Sequence, residues 1–184
     1  LGYSNLGDVE SSIRDLDAAV LLDPTNAAVY TNRGVARSRL SRLQEAIEDF
    51  DEAIRLAPES PEAHYNRGFA YFDLGDPDRA IQDLREASRL HGGPSPETRS
   101  DPLLAAAYSS RGEGYRRLGQ PQRAIQVLDS AIRFDPELAE AFYNRGIAYF
   151  DLGDVQSAVT DLEEAIRLDP EDAAAYGSRG AALA

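Results

Sequence analysis

A twelve-residue sequence that occurs twice constrains the fold of this chain more than any other feature. YNRGFAYFDLGD at residues 65–76 returns as YNRGIAYFDLGD at residues 143–154. Weaker copies that end in Arg-Gly occupy residues 30–34, 108–112 and 176–180. The glycines of successive copies lie 34 residues apart, with one longer spacing of 44. A fixed period in this range predicts a solenoid, in which similar structural units stack on one another.

Each period contains two predicted helices, A and B, joined by a short turn. Apolar residues of helix B, such as Ala46, Phe50 and Ala53, recur at helical spacings and so share one face. We predict about eleven helices in a single domain of 184 residues, with Leu6-Gly7 closing the first helix. The predicted segments are a partial repeat (1–26), two repeats (27–60 and 61–94), an insertion loop (95–104), two further repeats (105–138 and 139–172) and a terminal helix A (173–184).

Several predicted helix ends carry specific signals. Ser60-Pro61 predicts a helix start, with serine as the N-cap and proline in the first turn. Asp101-Pro102 predicts another start, so that the next helix A begins early, at Leu103. Gly75 is placed to end a helix A in the left-handed conformation that glycine tolerates. Ser41 stands at the equivalent position one period earlier.

The recurring positions together resemble a known family. An aromatic residue is followed by Gly four places on and Tyr three further, then by Ala, an apolar residue, Ala and Pro. The third full repeat supplies Tyr108, Gly112, Tyr115, Ala124, Leu128, Ala131 and Pro136, and the fourth supplies Phe142, Gly146, Tyr149, Ala158, Leu162, Ala165 and Pro170. This pattern resembles the tetratricopeptide repeat over essentially the whole chain apart from the insertion. The resemblance implies an all-α fold, namely an αα-hairpin solenoid that forms a right-handed superhelix.

Small residues recur where helix A must approach helix B closely. We expect Gly34, Gly68, Gly112 and Gly146 of the A helices to face Ala46, Ala80, Ala124 and Ala158 of the B helices. A larger side chain at such a contact would overpack the interface.

Composition excludes several classes of function. The chain has no cysteine, so disulfides and thiolate chemistry are excluded. Its net charge of −13 argues against nucleic acid as a partner. His64 and His91 lie at unrelated repeat positions without companions at metal-ligand spacing, and no glycine-rich phosphate loop occurs. We therefore predict a protein that is not an enzyme and that uses no cofactor and no metal. The basic residues are all arginine, which we interpret as the coding bias of a GC-rich bacterial genome.

The family resemblance places a peptide-binding groove on the concave face lined by the A helices. In the first full repeat the family's groove positions include Val35, Ser38 and Arg39. The residues predicted to form the groove are Asn32, Tyr65, Asn66, Phe69, Phe72, Ser110, Arg111, Arg116, Arg117, Tyr143, Asn144, Ile147 and Phe150.

Asparagine holds one groove position in three repeats, as Asn32, Asn66 and Asn144. Ser110 replaces it in the remaining full repeat. The series is similar to the asparagine ladder of O-linked N-acetylglucosamine transferases, whose amides bind peptide backbone. An amide offers both a donor and an acceptor, so it can pair with an extended peptide of any sequence. The alternative, that each amide bonds a neighbouring helix or water, remains open.

Aromatic and apolar residues form two predicted patches in the groove. The first patch comprises Tyr65, Phe69 and Phe72, and the second comprises Tyr143, Ile147 and Phe150. Exposed residues of these types are typical anchors of binding sites. The alternative is that they pack between adjacent repeats.

An arginine precedes the glycine of every copy of the motif. Arg33, Arg67 and Arg145 each have an aspartate 16 residues later on helix B, so an ion pair within each repeat is the favoured interpretation. Arg111 has Val127 at that place instead. We predict that Arg111, Arg116 and Arg117 leave a positive spot where an acidic peptide or a C-terminal carboxylate could dock.

These observations predict a protein–protein interaction module that binds a partner peptide or helix in its groove. Two alternatives remain open, namely a self-assembling scaffold that associates through its terminal half-repeats and the targeting arm of a larger enzyme. No apolar run is long enough for a membrane span. We predict a cytoplasmic location, with a periplasmic or exported one left open because the sequence begins in mid-motif without methionine.

Overall fold

The fold consists of helices that pair into antiparallel hairpins. The structure is a computed structural model that describes the backbone of residues 2–90 and 101–184 and the side chains of residues 8–90 and 101–184. All regular secondary structure in these ranges is helical. This confirms the predicted all-α, αα-hairpin solenoid class.

The chain divides into two compact units, residues 1–96 and 97–184. The first unit contains α1 (Gly2–Leu22), α2 (Ala27–Arg39), α3 (Leu43–Leu56), α4 (Pro61–Asp73) and α5 (Pro77–Leu90). The second contains α6 (Pro102–Arg117), α7 (Pro121–Phe134), α8 (Ala139–Asp151), α9 (Val155–Leu168) and α10 (Ala173–Ala182). Within each unit every helix packs against the next along the chain, which is the arrangement expected of stacked hairpins.

One of the predicted segment details is wrong. The described backbone runs through Gly7 as one helix, α1, so the expected helix end at Leu6-Gly7 is absent and the described residues form ten helices instead of about eleven. The predicted early start of the next helix A is present, because α6 begins at Pro102, one residue before the predicted Leu103. Residues 95–100 of the predicted insertion loop lie outside the described residues.

The predicted caps are confirmed where the structure describes them. The side chain of Ser60 accepts a hydrogen bond from the Ala63 amide at 3.3 Å, and proline follows it in the first turn of α4. The Asp101 carboxylate accepts one from the Leu104 amide at 3.0 Å. Each bond satisfies an amide that has no partner inside its own helix.

Glycine ends three of the A helices, α4, α6 and α8, in the left-handed conformation, as Gly75 was predicted to do. The φ angles are +76° at Gly75, +68° at Gly119 and +79° at Gly153. Ser41 adopts the same conformation, with φ at +57°, although it carries a side chain.

We expect Ser41→Gly to raise the free energy of unfolding by up to about 1 kcal/mol. The left-handed conformation costs a residue with a Cβ about 1–2 kcal/mol, and the greater chain entropy of glycine offsets part of the gain. Urea unfolding followed by circular dichroism measures the difference. Ser178→Gly, within helix α10, is the control and should be destabilising. A loss of stability in Ser41→Gly would contradict the prediction.

Glycine also permits close contact between the two helices of a hairpin. A Cβ built on Gly112 would lie 2.5 Å from Cγ of Leu128, and one on Gly34 would lie 2.5 Å from the ring of Phe50. The expected contacts with alanine are therefore only part of the arrangement. A Cβ built on Gly68 would lie 3.2 Å from the backbone carbonyl oxygen of Ala80. Its nearest neighbour would be Cγ of Leu84, at 3.0 Å.

The predicted ion pairs between helices A and B are present and largely buried. Arg67 donates from Nε and Nη2 to the two carboxylate oxygens of Asp83, both at 2.7 Å. Arg145 donates in the same way to Asp161, at 2.7 and 2.8 Å. Hydrogen bonds to Asp83 raise the pKa of Arg67 above its ordinary value. Such two-point contacts fix both side chains in one geometry.

Each of these arginines also reaches a second aspartate, which the sequence analysis missed. Nη1 of Arg67 donates to Asp51 at 2.6 Å, and Nη1 of Arg145 donates to Asp129 at 2.6 Å. Arg33 likewise contacts Asp17 at 2.8 Å. The second aspartate lies 16 residues before the arginine, on helix B of the preceding repeat. We call each of these aspartate–arginine–aspartate arrangements a clamp, and it joins three successive helices.

Candidate functional site

A groove between α2 and α4 in the first unit is the clearest candidate site. Its volume is about 350 Å³. The residues that line it are Val35, Ser38, Arg39, Phe50, Tyr65, Asn66 and Phe69. Six of these occupy groove positions that the family resemblance implied, and Phe50 is the addition from helix B.

The walls and floor of the groove are mostly apolar. Phe50 is fully buried beneath it and packs against Gly34 of α2. Tyr65 and Phe69 lie one helical turn apart on α4 and are 45% and 43% exposed. Large aromatic residues with this exposure can bury much more surface when a partner covers them. The first predicted aromatic patch therefore opens into the groove through two of its members, while Phe72 is half-buried.

Three polar side chains accompany these apolar residues. The Ser38 hydroxyl oxygen is buried and has no hydrogen-bond partner among the described residues. Asn66 is half-buried on the α4 side. Arg39 is exposed in the last turn of α2, and within the described part of the chain it forms no ion pair.

Asn144, which corresponds to Asn66 in the second unit, is hydrogen-bonded within the protein instead. Asn144 is 6% exposed and its amide donates to the Ser109 hydroxyl at 3.3 Å. That hydroxyl donates to Glu140 at 3.2 Å. At Asn144 the amide therefore bonds a neighbouring helix, which is the alternative that the sequence left open. Asn32 is exposed and Asn66 is half-buried.

The predicted positive spot of the second unit is opposed by carboxylates. Nη2 of Arg117 lies 2.5 Å from Glu113, and Nη1 of Arg116 lies 3.5 Å from Asp151. Arg111 donates to the Tyr115 hydroxyl at 3.2 Å and lies over its ring. Arg116 and Arg117 therefore each have a carboxylate within 3.5 Å, and the docking of an acidic group at this spot stays a prediction.

The remaining predicted site residues are spread over the second unit. Ser110, Tyr143 and Ile147 are half-buried, and Phe150 is 42% exposed. The second predicted patch is thus less exposed than the first, because Tyr143 and Ile147 are half-buried whereas Tyr65 and Phe69 are exposed.

The described residues offer little for catalysis or metal binding. Among them no group of three or more His, Asp or Glu side chains could hold a metal ion. His64 is buried, with its Nε2 3.1 Å from the Pro58 carbonyl oxygen and its Nδ1 3.4 Å from Asp83. No helix in the described ranges has the length and apolarity needed to cross a membrane.

Three family models match the sequence. One described as Tetratricopeptide repeat matches residues 112–178, one described as TPR repeat matches 39–75, and a second Tetratricopeptide repeat matches 59–137. Together they extend from residue 39 to residue 178. The chain therefore belongs to the tetratricopeptide repeat family. No sequence among curated proteins matches it.

Solved structures of repeat proteins share the fold. YrrB, described as a TPR protein with an unusual peptide-binding site, is 24% identical with a TM-score of 0.69, over 96% of this chain and 86% of its own. MamA is 26% identical with a TM-score of 0.66, over 91% and 86%. A tetratricopeptide repeat protein from Parabacteroides merdae ATCC 43184 is 23% identical with a TM-score of 0.64, over 98% and 68%.

The family and the fold define the general class of function. Proteins built from these repeats are interaction modules whose partners are other proteins, and they are generally not enzymes.

Proposed function

We propose that this protein is an adaptor that binds an extended segment of a partner protein in the groove between α2 and α4. The observation that supports this most strongly is that Tyr65 and Phe69 flank an open groove of about 350 Å³. YrrB, a structural neighbour, is described as having an unusual peptide-binding site, so a protein of this fold can bind peptides.

The size of the groove favours a short stretch of peptide. Ligand pockets span about 300–1,000 Å³, and this groove lies at the lower end of that range. It can hold one or two side chains of a partner, with the flanking backbone along the rim. Asn66 can then pair with that backbone, because its amide both donates and accepts.

A displayed library of random peptides tests the proposal directly. We expect the wild-type protein to select peptides that Phe69→Ala and Tyr65→Ala bind at least tenfold more weakly, because removing an aromatic anchor costs more than about 1.4 kcal/mol. Fluorescence anisotropy with the synthetic peptides measures the affinities.

Tyr176→Ala supplies a matched control for Tyr65→Ala. Tyr176 is also a tyrosine with 45% exposure, but it lies in the second unit, outside the groove. It should leave the affinities unchanged. If the selected peptides bind Tyr65→Ala, Phe69→Ala and Tyr176→Ala as tightly as they bind the wild-type protein, the groove is not the binding site.

Self-assembly, a role as the targeting arm of a larger enzyme and a cytoplasmic location stay predictions.

A further inference from the structure

We infer that the groove between α2 and α4 selects peptides in which a carboxylate side chain lies next to a large apolar one. This inference rests on the proposed function and specifies its ligand. The apolar side chain packs between Tyr65 and Phe69, and the carboxylate pairs with Arg39.

Arg39 differs from its counterpart in the second unit. Arg117 occupies the equivalent position and pairs with Glu113, one turn earlier on its own helix, at 2.5 Å. The residue one turn before Arg39 is Val35, which is apolar and itself lines the groove. The same arginine position is therefore neutralised internally in one unit and available to a ligand in the other.

The surroundings of Arg39 make a carboxylate the best match. A guanidinium forms charge-assisted hydrogen bonds with carboxylates, and its planar fork accommodates two oxygens at once. Val35 and Phe69, with Phe50 beneath, supply apolar surface within the same groove. A carboxylate alone would leave this surface uncovered, whereas an isolated apolar side chain would leave Arg39 facing only water.

The local charge acts against a strongly anionic background. The chain carries a net charge of −13, and repulsion at long range disfavours acidic partners in general. Screening limits such repulsion to within about 8 Å at physiological salt, so the direct contact with Arg39 governs the bound state. We therefore expect the groove to prefer a peptide with one carboxylate beside an apolar side chain over a peptide with a run of acidic residues.

The test uses peptides selected from a displayed random library by the intact protein. Peptides that depend on Phe69 should be enriched in Asp or Glu next to a large apolar residue. Replacing that acid with its amide should weaken binding to the wild type about tenfold, while binding to Arg39→Gln should be weak for both peptides. Arg39→Glu should instead select peptides with Lys or Arg at that place, which a merely structural role of Arg39 would not produce. Arg117→Gln is the matched control and should bind like the wild type.

Three outcomes are distinguishable. Enrichment of the acid together with the exchange of preference in Arg39→Glu supports the inference. Peptides that need Phe69 but show no preference for acid, or bind Arg39→Gln as tightly as the wild type, overturn the inference and leave the proposed function intact. Peptides that bind without any dependence on Tyr65 and Phe69 overturn both.

Discussion

Replacing Asp161 with Ala is expected to lower the free energy of unfolding by about 3 kcal/mol, while Asp129→Ala should cost less than about 1 kcal/mol. Both aspartates contact the same arginine. The Asp161 side chain is only 7% exposed and accepts two hydrogen bonds from Arg145, whereas that of Asp129 is 50% exposed and accepts one. Loss of Asp161 leaves a partly buried guanidinium without its main counter-charge. Loss of Asp129 exposes one donor to water, which replaces the bond.

Urea unfolding of the two variants and the wild type, followed by circular dichroism, measures the difference. The two substitutions remove the same atoms from the same clamp, so each serves as the control for the other. Asp83→Ala and Asp51→Ala repeat the comparison around Arg67 in the first unit, where the buried aspartate should again dominate. Equal losses from the buried and the exposed aspartate would show that burial does not control the strength of the clamp.

Two glycine substitutions on α6 are expected to change stability in opposite directions. Gly112→Ala should lower the free energy of unfolding by about 1–2 kcal/mol, since its Cβ would lie 2.5 Å from Cγ of the fully buried Leu128. Gly114→Ala should raise it by up to about 1 kcal/mol, since a Cβ there meets nothing within 4 Å and alanine favours the helix.

The pair isolates packing from helix propensity. Both substitutions add one methyl group to the same helix two residues apart, so their gain in propensity is similar. Thermal and urea unfolding of both variants give the two changes directly. A gain of stability in Gly112→Ala would mean that α6 and α7 can separate to admit the methyl group at little cost.

The arginine–aspartate pairs show which contacts the repeat period predicts. The 34-residue period aligned each arginine with an aspartate 16 residues later, and the structure confirms the pairs of Arg67 and Arg145. The second aspartate, 16 residues earlier, was missed although Asp17 and Asp51 also recur at the period. A search in both directions from Arg33 would have found it. The repeat period therefore predicts both aspartates, whereas an interpretation limited to contacts within one hairpin predicts only the later one.

The asparagines show a difference in burial that the sequence motif alone does not predict. Asn66 and Asn144 occur in nearly identical twelve-residue sequences, yet only Asn144 is buried. The difference comes from the residue 35 positions earlier on the adjoining helix A. Ser109 offers its hydroxyl to Asn144, whereas the Thr31 hydroxyl donates within its own helix to the Ala27 carbonyl. A local motif cannot specify such an environment, because the environment belongs to another repeat.

The clamps have a consequence for how the first unit opens. Arg33 ties α1, α2 and α3 together, and Arg67 ties α3, α4 and α5, through Asp49 and Asp51 on α3. Every boundary between neighbouring helices in that unit is therefore crossed by a charged contact. The contact through Asp51 is exposed and weak, but buried apolar residues also join α3 to α4, where Ala46 and Phe50 pack with Ala70. In repeat proteins the coupling between neighbours decides whether repeats open singly or together. Amide hydrogens of α2 through α5 should consequently exchange with solvent at similar rates, as one cooperative block that holds the groove in shape until the whole unit unfolds.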